Sequence, residues 1–175
     1  MNFKRLILPL AVVGILVLCT FVLWNRSSAA RSEQKETTLP GDATGEAKGI
    51  KWLTMEEAYN LNKKEPRKTF VDVYTDWCGW CKRMDATTFS DSAVSEYANK
   101  NYYAVKLNAE SPRELTIGDV KLTEATIARQ FGVRSYPTIV FIEKDFKTIT
   151  PVSGYRQAAD FLTLLQQVKD GTTQK

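Results

Sequence analysis

Residues 70–75, FVDVYT, are a short run of strand-forming residues, and three positions later the chain has changed to a helical pattern. Val, Phe, Tyr and Thr suit a pleated, buried surface, so the run reads as a buried strand carrying one out-of-place carboxylate, Asp72. Residues 77–100 are helical in character, and the capping residues within 87–91, TTFSD, divide them into two helices. The rest of the C-terminal part has the same rhythm. Thr54 caps a helix running to Lys64, with Glu57 as its capping-box partner and Leu53 placed to pack on Ala58. Pro66 stops it. Residues 102–107 form a second strand, and 122–131 a helix closed by Gly132. Residues 138–143 and 149–153 form a hairpin around a tight turn. Residues 158–169 close the domain, with Phe161, Leu162, Leu165 and Val168 on one stripe. This order predicts a three-layer α/β sandwich with a mixed central sheet. The 70–75 and 102–107 strands should be parallel and central, and the hairpin antiparallel at an edge.

The chain has no histidine. That removes Ser-His and Cys-His nucleophiles, histidine-bearing zinc sites, c-type haem attachment and imidazole bases. Chemistry must come from Cys, Asp, Glu, Lys or Tyr. The net charge of +4 is spread evenly: residues 1–48 hold six Lys/Arg against four Asp/Glu, and residues 49–175 hold eighteen against sixteen, leaving +2 in each part. Neither part offers the basic face or the motif that a nucleic-acid partner needs.

Residues 6–24 contain no charge in 19 positions and follow Lys4 and Arg5. As a helix they would span about 28 Å, the hydrocarbon thickness of a bilayer. The preceding basic residues favour a cytoplasmic N-terminus and an exported remainder. The run exceeds the usual signal-peptide core, which favours a retained anchor, whereas Ser28, Ala29 and Ala30 suit a signal peptidase. Lipidation of Cys19 is a third reading, disfavoured by the bulk of Leu18. The expected organisation is a signal anchor or signal peptide over 1–26, a flexible linker over 27–49 and one domain over 50–172. The linker has no aromatic residue and cannot repay its ordering entropy. The domain is expected to be monomeric and to face the extracytoplasmic, periplasmic side of the cell membrane, or to be secreted if the N-terminal segment is cleaved.

Cys78-Gly79-Trp80-Cys81 has four possible meanings. A metal site needs four ligands, and the remaining cysteine, Cys19, lies in the apolar segment. A structural disulfide closing so short a loop gains little from unfolded-state entropy. An idle thiol pair is the third meaning and a redox-active dithiol the fourth. Position favours the last. At a strand-to-helix junction Cys78 meets the unpaired N–H groups and dipole that stabilise a thiolate. Cys81 follows three residues on, on the same face, able to resolve a mixed disulfide. Lys82 and Arg83 add positive charge.

The unbroken run from Phe70 to Lys82, with its buried carboxylate and WCGWC motif, resembles the thioredoxin-like family. That resemblance implies the fold over about residues 65–170 and a redox-active Cys78–Cys81 disulfide with no other cofactor and no metal. It implies that Asp72 serves as proton acceptor or donor for Cys81, and that Lys106 is the lysine paired with it. Ser135-Tyr136-Pro137-Thr138 is similar to the family segment whose proline has a cis bond and lies against the cysteines, and Gly154 matches a glycine near the substrate groove. Trp77, Gly79, Trp80, Tyr136, Pro137 and Gly154 are the expected groove residues. Trp80 departs from the proline of the family's general reductases and from the nearby histidine of its strong oxidants. The loop over 108–121 is longer than compact members need and reads first as a surface insertion, with a cover on one side of the active-site face or a contact to a specific partner as the alternatives.

The expected function is thiol–disulfide exchange, most readily as a reductase. Its substrates would be exported proteins with cysteine pairs, and a membrane electron-donor protein would supply the electrons. A peptide-binding or chaperone module with a structural disulfide is the alternative.

Overall fold

The computed structural model describes residues 49–172. The expected membrane segment at 6–24 and all but the last residue of the 27–49 linker lie outside them. Among the described residues no helix is long and apolar enough to cross a membrane.

The chain opens with β1 (Trp52–Leu53), a two-residue strand that the sequence pattern does not announce, and continues into α1 (Met55–Lys64). The capping box forms as expected. Thr54 Oγ1 accepts the Glu57 N–H, and the Glu57 carboxylate accepts the Thr54 N–H at 2.7 Å. Next come β2 (Thr69–Tyr74), α2 (Gly79–Thr87), α3 (Ser92–Asn101) and β3 (Tyr103–Asn108). The break between the two helices falls where Asp91 caps α3 through the Val94 N–H. After β4 (Glu114–Ile117) and β5 (Val120–Thr123) come α4 (Glu124–Gln130), β6 (Thr138–Ile142), β7 (Ile149–Ser153) and α5 (Ala158–Asp170).

The main sheet has the order β1-β3-β2-β6-β7. β1, β3 and β2 run parallel, while β6 and β7 are antiparallel additions. Every residue of β2 from Thr69 to Val73 is buried, as expected for a central strand covered on both faces. Alternation divides it. Val71 and Val73 join Val105, Leu107, Val140 and Ile142 in a core under α1 and α4. Phe70 joins Ile139, Phe141, Met84 and Phe161 in a second core under α2, α3 and α5. Asp72 has the parity of Phe70 and so belongs to the α2 side. On α5 the buried stripe is Phe161, Leu164, Leu165 and Val168; Leu162, expected on it, is only partly buried.

The expected surface insertion over 108–121 is instead mostly a second, two-stranded antiparallel sheet, β4–β5, paired from Glu114↔Thr123 to Ile117↔Val120. Leu115 is 3% exposed and belongs to the core, with Ile117 and Leu122 packed against it. Gly118 makes the turn at φ +64°, and a Cβ there would sit 3.1 Å from the Tyr59 hydroxyl. The expected helix at 122–131 therefore starts later, at Glu124, because Leu122 and Thr123 are used in β5 and Thr123 caps α4.

Candidate active site

β2 delivers the chain directly to the N-terminus of α2. Cys78 is the N-cap there, in extended conformation, rather than a residue of the first turn. Its N–H reaches back to the Thr75 carbonyl, and its Sγ accepts the Cys81 N–H at 3.1 Å. The sulfur thus takes the place of a capping side-chain oxygen, satisfying one of the helix's unpaired donors. Cys81, one turn in, is bonded to Cys78 as a disulfide with Cα atoms 5.3 Å apart. Cys81 and Met84 are the buried residues of α2, so this helix face lies on the α2-side core. The two cysteines are equally sheltered in the disulfide form, at 4% and 3% exposure. The nucleophile assigned by position, Cys78, is thus no more exposed than Cys81 in this state, with its sulfur bonded against the helix.

Asp72 and Lys106 stand opposite one another in the parallel β2–β3 register. Lys106 Nζ lies 3.0 Å from Asp72 Oδ2 and also bonds the carboxylate of Asp85 on α2. Asp72 is 1% exposed, and its Oδ1 has no hydrogen-bond partner. Burial raises its pKa from 3.8 to about 6, against the opposing pull of Lys106. Burial alone would lower the pKa of Lys106, but the two carboxylates outweigh it and the net direction is up. The ammonium also lies over the rings of Tyr74, Trp52 and Phe89, at 4.9, 5.1 and 5.5 Å. This buried carboxyl, with its pKa raised to about 6, lies on the side of β2 that α2 covers.

The mouth of the site is aromatic. Trp77 and Trp80 are 67% and 55% exposed, on either side of the first cysteine. Trp77 stands edge-on to Tyr136 at 5.9 Å, and its Nε1–H donates to Glu110. The Tyr136–Pro137 bond is cis, and the Pro137 carbonyl accepts the Gly154 N–H at 2.9 Å. Gly154 holds φ +97°, a conformation that a side chain would strain. On the other flank Trp80 packs with Tyr155, ring centroids 5.3 Å apart.

Residues 55–169 match the family model of the thioredoxin-like domain. The chain belongs to that family. The chain is similar to part of the thiol:disulfide interchange protein DsbD of Actinobacillus pleuropneumoniae, at 27% identity over 84% of this chain and 23% of that protein. It is also similar to protein disulfide-isomerase of Gallus gallus, at 35% identity over 58% of this chain and 18% of the relative. The chain thus spans about a quarter or less of these relatives' lengths. Among solved structures, a thioredoxin from Thermus thermophilus superposes with a TM-score of 0.59 at 23% identity, covering 71% of this chain and 90% of that one. The family and the cysteine pair support thiol–disulfide oxidoreductase chemistry in this domain.

The fold brings the sequence-predicted residues together in three groups: Asp72 with Lys106; Cys78, Gly79, Trp80 and Cys81 at the start of α2; and Tyr136, Pro137 and Gly154 around the cis bond, with Trp77 against Tyr136. Three participants were not anticipated. Asp85 falls one turn after Cys81, a spacing visible in the sequence, but its bond to Lys106 depends on how α2 crosses the sheet. Glu110 lies in the 108–121 segment and its bond to Trp77 agrees with the alternative reading of that segment as a cover on one side of the active-site face, though the sequence does not single the residue out. Tyr155 adjoins the expected Gly154, with nothing in the sequence to aim it at Trp80.

Proposed function

We propose that this chain is an extracytoplasmic thiol–disulfide reductase, held at the membrane by residues 6–24, that reduces disulfides of exported proteins. The observation that carries the reading is the coupling of two features. The Cys78 sulfur caps the N-terminus of α2, and a buried carboxyl that titrates near neutral pH, with one oxygen unpartnered, lies on the side of β2 that α2 covers. In the reduced form the Cys78 thiolate attacks a substrate disulfide and expels one substrate thiolate, leaving a mixed disulfide. Cys81 passes its proton to Asp72 and attacks Cys78, the Cys78–Cys81 bond forms, and the second substrate thiolate leaves and takes up the proton that Asp72 releases. Two electrons pass from the dithiol to the substrate. A dithiol on a membrane electron-donor protein returns them by the reverse exchange. Lys106 holds the Asp72 carboxylate, and the groove of Trp77, Gly79, Trp80, Tyr136, Pro137 and Gly154 holds an extended substrate segment. The lack of any imidazolium beside Cys78 favours reduction over strong oxidation.

A redox titration against glutathione and dithiothreitol buffers, read by alkylation of the folded protein, tests this. Equilibration of the pair at reducing poise, with Cys78 alkylated first, is the expected result. A pair that reduces only when the domain unfolds marks a structural disulfide and overturns the reading.

A further inference from the structure

Arg83 is the second unusual feature of the active-site face. It follows Cys81 by two positions on α2, and its guanidinium carbon lies 5.3 Å from the Trp80 ring centroid and 5.7 Å from that of Tyr155. Tyr155 is itself tied to α2, its hydroxyl 3.2 Å from Thr87 Oγ1. Arg83 is therefore flanked by two rings that themselves pack together, an arrangement that limits where a long, flexible side chain can go. The Arg83 side chain also hydrogen-bonds the Tyr155 hydroxyl, and the guanidinium keeps further N–H donors for other partners. No carboxylate takes them: the ion pairs among the described residues join Arg67 to Glu65, Lys68 to Glu143, and Lys106 to Asp72 and Asp85.

The cation borders open space next to the disulfide. Gly79, Trp80 and Arg83 line a surface pocket of about 240 Å³. Gly79 lies between the two cysteines, and a Cβ built on it would meet nothing within 4 Å. A substrate cysteine bonded to Cys78 would bring its neighbouring residues against this pocket. On the Trp77 side a carboxylate, Glu110, accepts the indole N–H.

We infer that Gly79, Trp80 and Arg83 form a specificity subsite for an acidic residue adjacent to the substrate's reactive cysteine. The inference deepens the oxidoreductase reading and rests on it. A carboxylate in the pocket accepts the planar donors of a guanidinium already oriented by its rings, the pairing for which arginine is better suited than lysine. The guanidinium borders a single pocket, so the acid is read on one side of the cysteine, and Glu110 adds no attraction for it beside Trp77.

The test uses the full-length protein, reduced and freed of reductant, so that its own dithiol supplies the two electrons: dithiol plus peptide disulfide gives protein disulfide plus two peptide thiols. Substrates are disulfide-linked dimers of one hexapeptide with Glu, Gln or Lys directly before, or directly after, the cysteine. Second-order rates are read by stopped-flow protein fluorescence at low salt. At one of the two positions the Glu peptide should react about fivefold faster than the Lys peptide, as one exposed, oriented ion pair allows. That ratio should fall toward one at high salt and in Arg83→Gln, and be partly kept in Arg83→Lys. Arg83 is exposed on a helix surface, and glutamine is a comparable helix former, so the variant should fold. Equal rates for Glu and Lys at both positions overturn the subsite alone, as does a Glu preference that survives Arg83→Gln. Failure to reduce any of the peptides overturns the oxidoreductase reading, and the subsite with it.

Discussion

Replacing Asp72 with Asn should make the oxidised protein more stable at neutral pH. Asp72 titrates at about 6 in the fold against 3.8 without it. Because the folded value is the higher one, the folded state binds more protons between the two values, and stability falls as pH rises through that window. The contribution is fully present below pH 3.8, is lost progressively up to about pH 6, and stays lost above it. A gap of that width between the folded and unfolded values corresponds to about 3 kcal/mol. Against this stands the ion pair with Lys106. Removing one partner of a buried pair usually costs about 3–5 kcal/mol, because the other charge is left buried alone. Here Lys106 is 22% exposed and keeps Asp85, so that penalty does not arise in full. An unpaired amide nitrogen would also only replace a carboxylate oxygen that already lacks a partner. The balance is a gain of about 2 kcal/mol at pH 7.5, or about 8 °C in Tm for a domain of this size. Urea unfolding of both oxidised proteins at pH 7.5 and pH 4 measures it, and the gain should vanish at the lower pH. A variant less stable than the parent at pH 7.5 would show that the Lys106 pairing outweighs desolvation and refute the reasoning.

The other predictions are smaller in scope. Cys81→Ala should accumulate mixed disulfides through Cys78, whereas Cys78→Ala should trap none while keeping its fold; rapid alkylation during substrate reduction separates them, and equal trapping would reverse the assignment of nucleophile and resolver. Asp72→Asn should leave attack by Cys78 intact and slow resolution, seen as a longer-lived mixed disulfide in the same quench. Leu115→Ala should cost about 3 kcal/mol by denaturant unfolding, since the β4–β5 hairpin closes the core rather than decorating it. Gly154→Ala meets no neighbour but must hold φ +97°, so it should cost about 1–2 kcal/mol and weaken substrate binding, checked by unfolding and by KM.

The elements legible in the sequence were those whose burial pattern is local. β2 announces itself because both of its faces are covered, and α1 because its capping box is complete within four residues. Asp72 stood out because a carboxylate in such a strand requires a partner. The β4–β5 hairpin was legible in principle: LTI and VKL flank Gly118-Asp119, the composition of a two-residue turn between strands. The alternation is only three residues long on each side of the turn, too short to stand out within a polar stretch. β1 was not legible, because two residues form a strand only when β3 is there to pair with them. Nor were Asp85, Glu110 and Tyr155, whose roles depend on how α2, the segment after β3 and the segment after β7 cross in space.

The stability and kinetic expectations for Asp72 have opposite signs, and that opposition separates a functional carboxyl from a structural one. A residue kept for the fold would, when replaced, weaken the protein and disturb activity together. Asp72 instead occupies a position where burial makes its charge costly, yet the same burial moves its titration to about 6, close to the pH at which a thiol proton must be accepted and returned. Lys106 limits the shift without abolishing it, because it divides its charge between Asp72 and Asp85. A lysine bound to Asp72 alone would hold the carboxylate more firmly ionised and make it a poorer base; a lysine bound to Asp85 alone would leave Asp72 protonated and unable to accept. On the proposed mechanism, sharing the ammonium between two carboxylates keeps the buried one poised between those states, and the fold carries that instability as the condition of its chemistry.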